Sequence, residues 1–317
     1  MVDAVTCTGV KKLLERALSN AFMLRVSKGN RFVFCYHDVS AADAPHHSWR
    51  YSTTPARFKE HIDLFQQLFA IVPLEAIAND RDLPTGRNYA ALTFDDGFHS
   101  VLTDVLPLLK ASRLPFTVFL NGMAVEHGRS WITDLVLAAN DPVFVKGMLA
   151  ATALAPADAA DPIGAIMARG RFTAAFADRP VLAARTKIFL DRDDVRQLHA
   201  EGVTIGDHGY AHAVLSRCEA AVLDAEVSTG RDLIRDITGA APRHYALAFG
   251  KHEHYDARAV EAIRQRGYTH VYNTNPNRVR AHEVGGAELI PRIGFTGDST
   301  DQVLFYVNRT LLRKYAL

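Results

Sequence analysis

The chain has 317 residues, 48% of them hydrophobic and 22% charged, the composition of a globular protein with a sizeable core. Its 36 Lys and Arg against 35 Asp and Glu leave a net charge of +1, which excludes a nucleic-acid surface built on net charge. Cys7, Cys35 and Cys218 are odd in number and show no CxxC spacing, so neither a disulfide framework nor a cysteine-based zinc site is expected.

The first element is an amphipathic helix. Val10, Leu13, Leu14, Ala17, Leu18, Ala21 and Phe22 recur at helical spacing, with Lys11, Lys12, Glu15 and Arg16 between them. Residues 1–30 are therefore expected to pack as a helix on the body, with peripheral contact to a membrane surface as the alternative. No secretion signal and no run of eighteen apolar residues is legible, so a cytoplasmic protein without a transmembrane segment is expected.

From residue 31 onward, short apolar runs alternate with helical patterns. "RFVFCY" (31–36) reads as a buried strand, and "TTPARFKEHIDLFQQLF" as a helix. In that helix Thr54 is the N-cap, Pro55 takes the first position, and Phe58, Ile62, Phe65 and Phe69 form one face. "YAALTF" (89–94), a helix over 101–111 and "FTVFL" (116–120) follow. Further strands are expected at "VTIG" (203–206), "HYALAF" (244–249), "THVYN" (269–273) and "ELIPRI" (288–293), with helices over 219–238, 256–266 and from Asp298 onward. This alternation predicts an α/β fold on a parallel sheet, open or closed into a barrel. The alanine- and proline-punctuated stretch 135–190 breaks the rhythm and reads as a helical insertion in one domain spanning 31–317.

In such folds, functional side chains collect at the C-terminal ends of strands. Asp95 and Asp96 stand there, after "YAALTF" and before Gly97. Two adjacent carboxylates repel unless a cation or a proton separates them. One could cap the helix at 101, which leaves the second unexplained. His208 and His212, four apart after "VTIG", can grip one cation, and position 209 is Gly, so no HExxH base accompanies them. An aspartate with two histidines gives three ligands and an open position, and the spare aspartate becomes a base for water. His46, His47, His252 and His254 read as solvated loop residues.

"LTFDDG" and "IGDHGYAHAVLS", in this order, resemble the first two motifs of the polysaccharide deacetylases, the NodB-homology or carbohydrate esterase 4 family. "FCYHDV", "LPFTVFL", "YALAFG" and "LIPRI" are similar to further segments of one branch, so the likeness runs over about residues 31–295. It implies a distorted (β/α) barrel and a divalent metal, usually zinc, on Asp96, His208 and His212. It further implies Asp95 as catalytic base with Arg292 orienting it, and substrate or oxyanion contacts from His37, Tyr245 and Leu247. Leu247 and Ala248 replace the branch's Tyr-Pro, and the general acid has no clear counterpart; His37, His270 and His282 are the candidates. The implied activity is removal of an N-acyl group, acetyl or formyl, from an amino sugar in surface-polysaccharide synthesis. That sugar would be nucleotide-linked, lipid-linked or part of an oligosaccharide. A catalytically silent sugar-binding member is the alternative, and a metal phosphohydrolase lacks the Gly-rich phosphate loop that would support it.

Overall fold

The computed structural model describes residues 18–79, 83–130, 133, 187–277, 279 and 289–312. The expectations for the N-terminal helix before residue 18, for most of the 135–190 insertion and for His282 lie outside these residues.

In chain order the elements begin with α1 (Phe22–Val26), β1 (Arg31–Tyr36), β2 (Asp38–Val39), β3 (Ser52–Thr53), α2 (Pro55–Leu68), β4 (Ala70–Ile71) and α3 (Leu74–Asn79). Then come β5 (Tyr89–Phe94), α4 (Leu106–Ala111), β6 (Phe116–Leu120), α5 (Gly122–His127), α6 (Arg192–Ala200), β7 (Thr204–Asp207) and α7 (Ala220–Thr238). The last are β8 (His244–Ala246), α8 (Ala257–Gln265), β9 (His270–Asn273), β10 (Ile290–Pro291), β11 (Ile293–Gly294) and α9 (Thr300–Leu312).

The main sheet runs β10-β9-β8-β7-β6-β5-β1-β11, with β4 beside β5. Every pairing within it is parallel. Its two ends, β10 and β11, are consecutive in the chain and separated by Arg292 alone. Arg292 N–H donates to the Asn273 carbonyl on one side and Phe295 N–H to the Cys35 carbonyl on the other. One short segment therefore closes the sheet into a distorted (β/α) barrel, as expected. "ELIPRI" is one strand in sequence and two in pairing, because its partner changes from β9 to β1 at Arg292.

Strand alternation sorts side chains onto two faces, one toward the surrounding helices and one toward the barrel interior. Phe32, Phe34, Leu92, Phe94 and Val118 face the surrounding helices, where Phe58, Ile62 and Phe65 of α2 meet them. Val33, Ala91, Phe119, Ala246 and Tyr272 form the barrel interior, with Leu74, Ile77 and Ala78 of α3 packed against them. Thr54 caps α2, accepting from Arg57 N–H at 3.3 Å. The helix expected over 101–111 opens with a wider π turn at 101–105. Pro107 has no N–H to continue the i→i−4 ladder there, and Leu106 N–H reaches back to the Val101 carbonyl. The expected N-terminal helix does not run through Phe22: the chain bends at 19–21 and resumes as α1. Leu18 and Leu24 are buried, and Asn308 of α9 donates to the Leu18 and Asn20 carbonyls. Among the described residues, no helix is long and apolar enough to cross a membrane.

Candidate active site

The C-terminal ends of β1, β5, β7, β8 and β11 converge on a cavity of about 820 Å³. Asp95 N–H donates to the Tyr36 carbonyl and His208 N–H to that of Leu120, so sheet register extends past the strands and fixes where both side chains emerge. Asp96, His212 and Phe249 hold positive φ of 69°, 55° and 60°, three of the four such non-glycine residues described. Left-handed backbone at these residues is costly and persists where the surroundings impose it, most often at functional sites. Gly97, also left-handed at 74°, lets the chain turn directly behind the aspartates.

Asp95 is gripped by Arg292, with Nη1 to Oδ1 at 2.7 Å and Nη2 to Oδ2 at 2.8 Å. Arg292 also reaches Thr93 Oγ1 at 3.3 Å and lies over the Phe119 ring. Burial pushes the Asp95 carboxyl up, but the Arg292 guanidinium, with His208, outweighs it and holds the group well below the usual carboxylate range. Neither aspartate caps the following helix.

Asp96 turns to the histidines. Its Oδ1 lies 3.3 Å from His212 Nε2 and 3.6 Å from His208 Nε2, and is buried without a hydrogen-bond partner. His208 Nδ1 is 2.7 Å from the Ala246 carbonyl, an acceptor, so Nδ1 carries the proton and Nε2 keeps its lone pair. Burial pushes His208 down to about 4. For Asp96, burial works upward and His212 downward, and the net is a value of about 2. A buried orphan acceptor facing two Nε2 atoms, one on a neutral ring oriented through its other nitrogen, is a donor set that fits a divalent cation.

The 208–212 loop is braced from behind by two carboxylates that the motifs did not reveal. Glu226 of α7 accepts from Ala211 N–H (2.9 and 3.0 Å) and Ala213 N–H (3.0 Å). Asp207 accepts from Gly209 N–H at 2.8 Å and from the Tyr268 hydroxyl. Burial pushes Asp207 up to about 7, against those hydrogen bonds. Gly230 admits Asp207: a Cβ there would stand 2.6 Å from Oδ1.

The expected contacts from Tyr245 and Leu247 are corrected. Alternation from inward-facing Ala246 turns both side chains outward, into a cluster with Leu223, Val227 and Ile263. Leu247 N–H is used by the Tyr272 carbonyl at 2.9 Å. Of the residues of "YALAFG", Phe249 lines the cavity, and its ring packs against His212 at 4.5 Å. Of the acid candidates, His37 lines the cavity and its buried Nδ1 has no partner among the described residues. His270 stands at the start of β9, at the other end of the barrel. Of the four histidines read as solvated, His252 is exposed as expected, and the other three need correction. His46 and His47 reach Asp38 and Ser40, at 3.6 and 3.2 Å, and His254 lines the cavity against Phe249. Cys35, whose thiol lies 3.3 Å from Asp95 Oδ2, was likewise missed. The usable signal was position, Cys35 lying next to the C-terminal end of β1 and His254 in the loop that follows β8.

The sequence profile described as polysaccharide deacetylase matches residues 82–271, more than half of the chain. The chain belongs to the polysaccharide deacetylase family. These enzymes are amide hydrolases, and the constellation above lies at this deacetylase's strand ends. Among solved structures, IcaB from Ammonifex degensii is similar at 18% identity and a TM-score of 0.60, covering 88% of this chain and 97% of its own. Deacetylase PplD of Streptococcus pyogenes, solved in complex with acetate, is similar at 14% identity and 0.58, over 88% and 98%. A de-N-acetylase of Aggregatibacter actinomycetemcomitans is similar at 17% and 0.55, over 87% and 99%. At these identities the likeness establishes the fold. No curated protein sequence matches the chain.

Proposed function

We propose that this deacetylase removes an N-acetyl group from an amino sugar borne on an anionic carrier. Asp96, His208 and His212 hold a divalent metal, zinc by the donor set, and Asp95 is the base. The observation that carries this reading is the division between the adjacent carboxylates: Asp95 faces Arg292, and Asp96 faces two imidazole Nε2 atoms. When bound, the metal supplies Lewis acidity, which acidifies water and polarises the amide carbonyl.

The chain's own residues do the rest. Arg292 fixes the plane of Asp95 and keeps it ionised, so the carboxylate is always ready to accept a proton, and its low basicity suits an acidified water. The loop around Phe249 borders the place where an oxyanion would develop, and its backbone is the assigned source of a hydrogen bond. His37, on the cavity wall, is assigned to protonate the leaving amine. Tyr51, Phe249 and Tyr306 give the cavity apolar faces for a sugar ring.

The anionic carrier rests on the remaining charges. Arg50, Lys251 and Arg309 line the cavity, and its described carboxylates are Asp95 and Asp96 alone. A nucleotide- or lipid-linked sugar has phosphates to meet these cations, and such a substrate places the reaction in the cytoplasm during surface-polysaccharide synthesis.

The test incubates metal-loaded protein with N-acetylated nucleotide sugars, a lipid-linked sugar and a neutral oligosaccharide, and measures acetate. Formate is measured from the N-formyl analogues. Acetate release lost in Asp95→Asn, with metal retained, is the expected result. Equal turnover of the neutral oligosaccharide, insensitive to salt, removes the anionic carrier. No release from any substrate by metal-loaded protein leaves a sugar-binding role.

A further inference from the structure

A second group of ligand-type side chains lies at the other end of the barrel. His244 and His270 open β8 and β9 and stand opposite each other in register. Both point inward by alternation, two residues before Ala246 and Tyr272 of the interior core. Glu75, on α3, meets them there: His244 Nε2 is 2.8 Å from Glu75 Oε2. One ligand atom from each of the three lies within 4.8 Å of the others.

Both rings are oriented through Nδ1, His244 by the Tyr272 hydroxyl and His270 by Thr269 Oγ1, each at 2.8 Å. Each therefore presents Nε2 to a further partner. Glu75 Oε1 is engaged separately, by Asn79 Nδ2 at 2.6 Å and Arg243 Nη1 at 3.0 Å, while Oε2 faces the histidines. A cavity of about 360 Å³, bordered by Glu75, Arg243 and His244, gives access from outside.

We propose that Glu75, His244 and His270 form a second divalent transition-metal site, separate from the one at Asp96. Two imidazoles and one carboxylate, with solvent in the fourth position, suit Zn²⁺ or Co²⁺. Bonds of about 2.0–2.1 Å in tetrahedral geometry set neighbouring ligand atoms about 3.3 Å apart. His244 and Glu75 must open slightly and the widest pair must close, which half-buried Glu75 and His270 can do by side-chain rotation. Tyr272, Thr269, Asn79 and Arg243 are the outer partners that orient such ligands. An ion here ties α3 to two strands of the barrel.

The test uses the full chain with the first site disabled, His208→Ala/His212→Ala, stripped with chelator and titrated with Co²⁺. The expected result is about one ion per chain with intense tetrahedral visible absorption. Adding His270→Asn or Glu75→Gln weakens binding by about 100-fold or more. Absence of tight Co²⁺ binding to the His208→Ala/His212→Ala protein, with native circular dichroism, overturns the proposal, as does binding that both added substitutions leave unchanged. If His270→Asn does not fold, Glu75→Gln at its half-exposed position decides by the same reading. Because the first site is disabled, the outcome is independent of whether the chain deacetylates sugars.

Discussion

Arg292 holds both oxygens of Asp95 in a buried ion pair, Arg292 being 0% and Asp95 1% exposed. Breaking one half of a buried ion pair strands the other charge, so Arg292→Met should destabilise the protein by about 3–5 kcal/mol. Arg292→Lys keeps the charge and loses the fork, so it should spare more stability than catalysis. In urea melts, Arg292→Met combined with Asp95→Asn should lose less than the two single changes together. Strict additivity would show that the pair is not coupled.

Glu226 acts through the backbone on the loop proposed to carry two metal ligands. Replacing it with Ala removes the acceptor for Ala211 and Ala213 N–H and frees the turn that carries His212. Metal affinity should fall by about 10–100-fold, measured by competition with a chromogenic chelator. Glu226→Gln keeps an acceptor oxygen and should recover most of the loss; equal damage from both would point to charge instead.

Gly230→Ala sets helix propensity against packing. In the middle of α7 the change should add about 1 kcal/mol of stability. Here the new methyl meets Asp207 Oδ1 at 2.6 Å and Oδ2 at 2.8 Å. Net destabilisation of about 1–3 kcal/mol is expected in thermal melts. A rise in Tm would mean that Asp207 moves freely.

His61 gives the stability an acid limb. Its Nε2 donates to the Asp298 carbonyl at 2.8 Å and its Nδ1 accepts from the Tyr36 hydroxyl at 2.9 Å, so the folded ring is neutral. Burial lowers its pKa below the ordinary 6.5, more than the Asp298 carbonyl raises it. As pH falls, the unfolded chain takes up this proton first. The His61 contribution is therefore complete above about 6.5 and declines as pH drops from there toward the lower folded-state value. Tm recorded from about pH 8 to about pH 5 should show the decline, and His61→Gln should flatten it.

The strands that read most clearly were those buried on both faces, 31–36, 89–94 and 116–120, where apolar residues run without a break. "HYALAF" promised six residues of ladder and gave three, because Phe249 takes a left-handed backbone and the chain leaves the sheet. β2, β3 and β4 have two residues each, too few to carry a period. Within the site, Asp95, Asp96, His208 and His212 could be read from two short motifs. Glu226 and Cys35 could not: Glu226 braces a loop 13–15 residues earlier from a helix that reads only as amphipathic, and Cys35 meets Asp95 across 60 residues. Tyr245 and Leu247 were misread because a motif gives the loop and not the parity of the strand entering it.

Closure of the barrel at Arg292 also orders events in time. During synthesis Asp95 emerges first, and its partner follows 197 residues later. Until the 290–294 segment slots between β9 and β1, Asp95 is a carboxylate without a fixed plane. A nascent or truncated chain lacking that segment still carries Asp96, His208 and His212 but leaves Asp95, the proposed base, without Arg292. On the proposed reading, the three ligand side chains are all synthesised before the residue that orients the base.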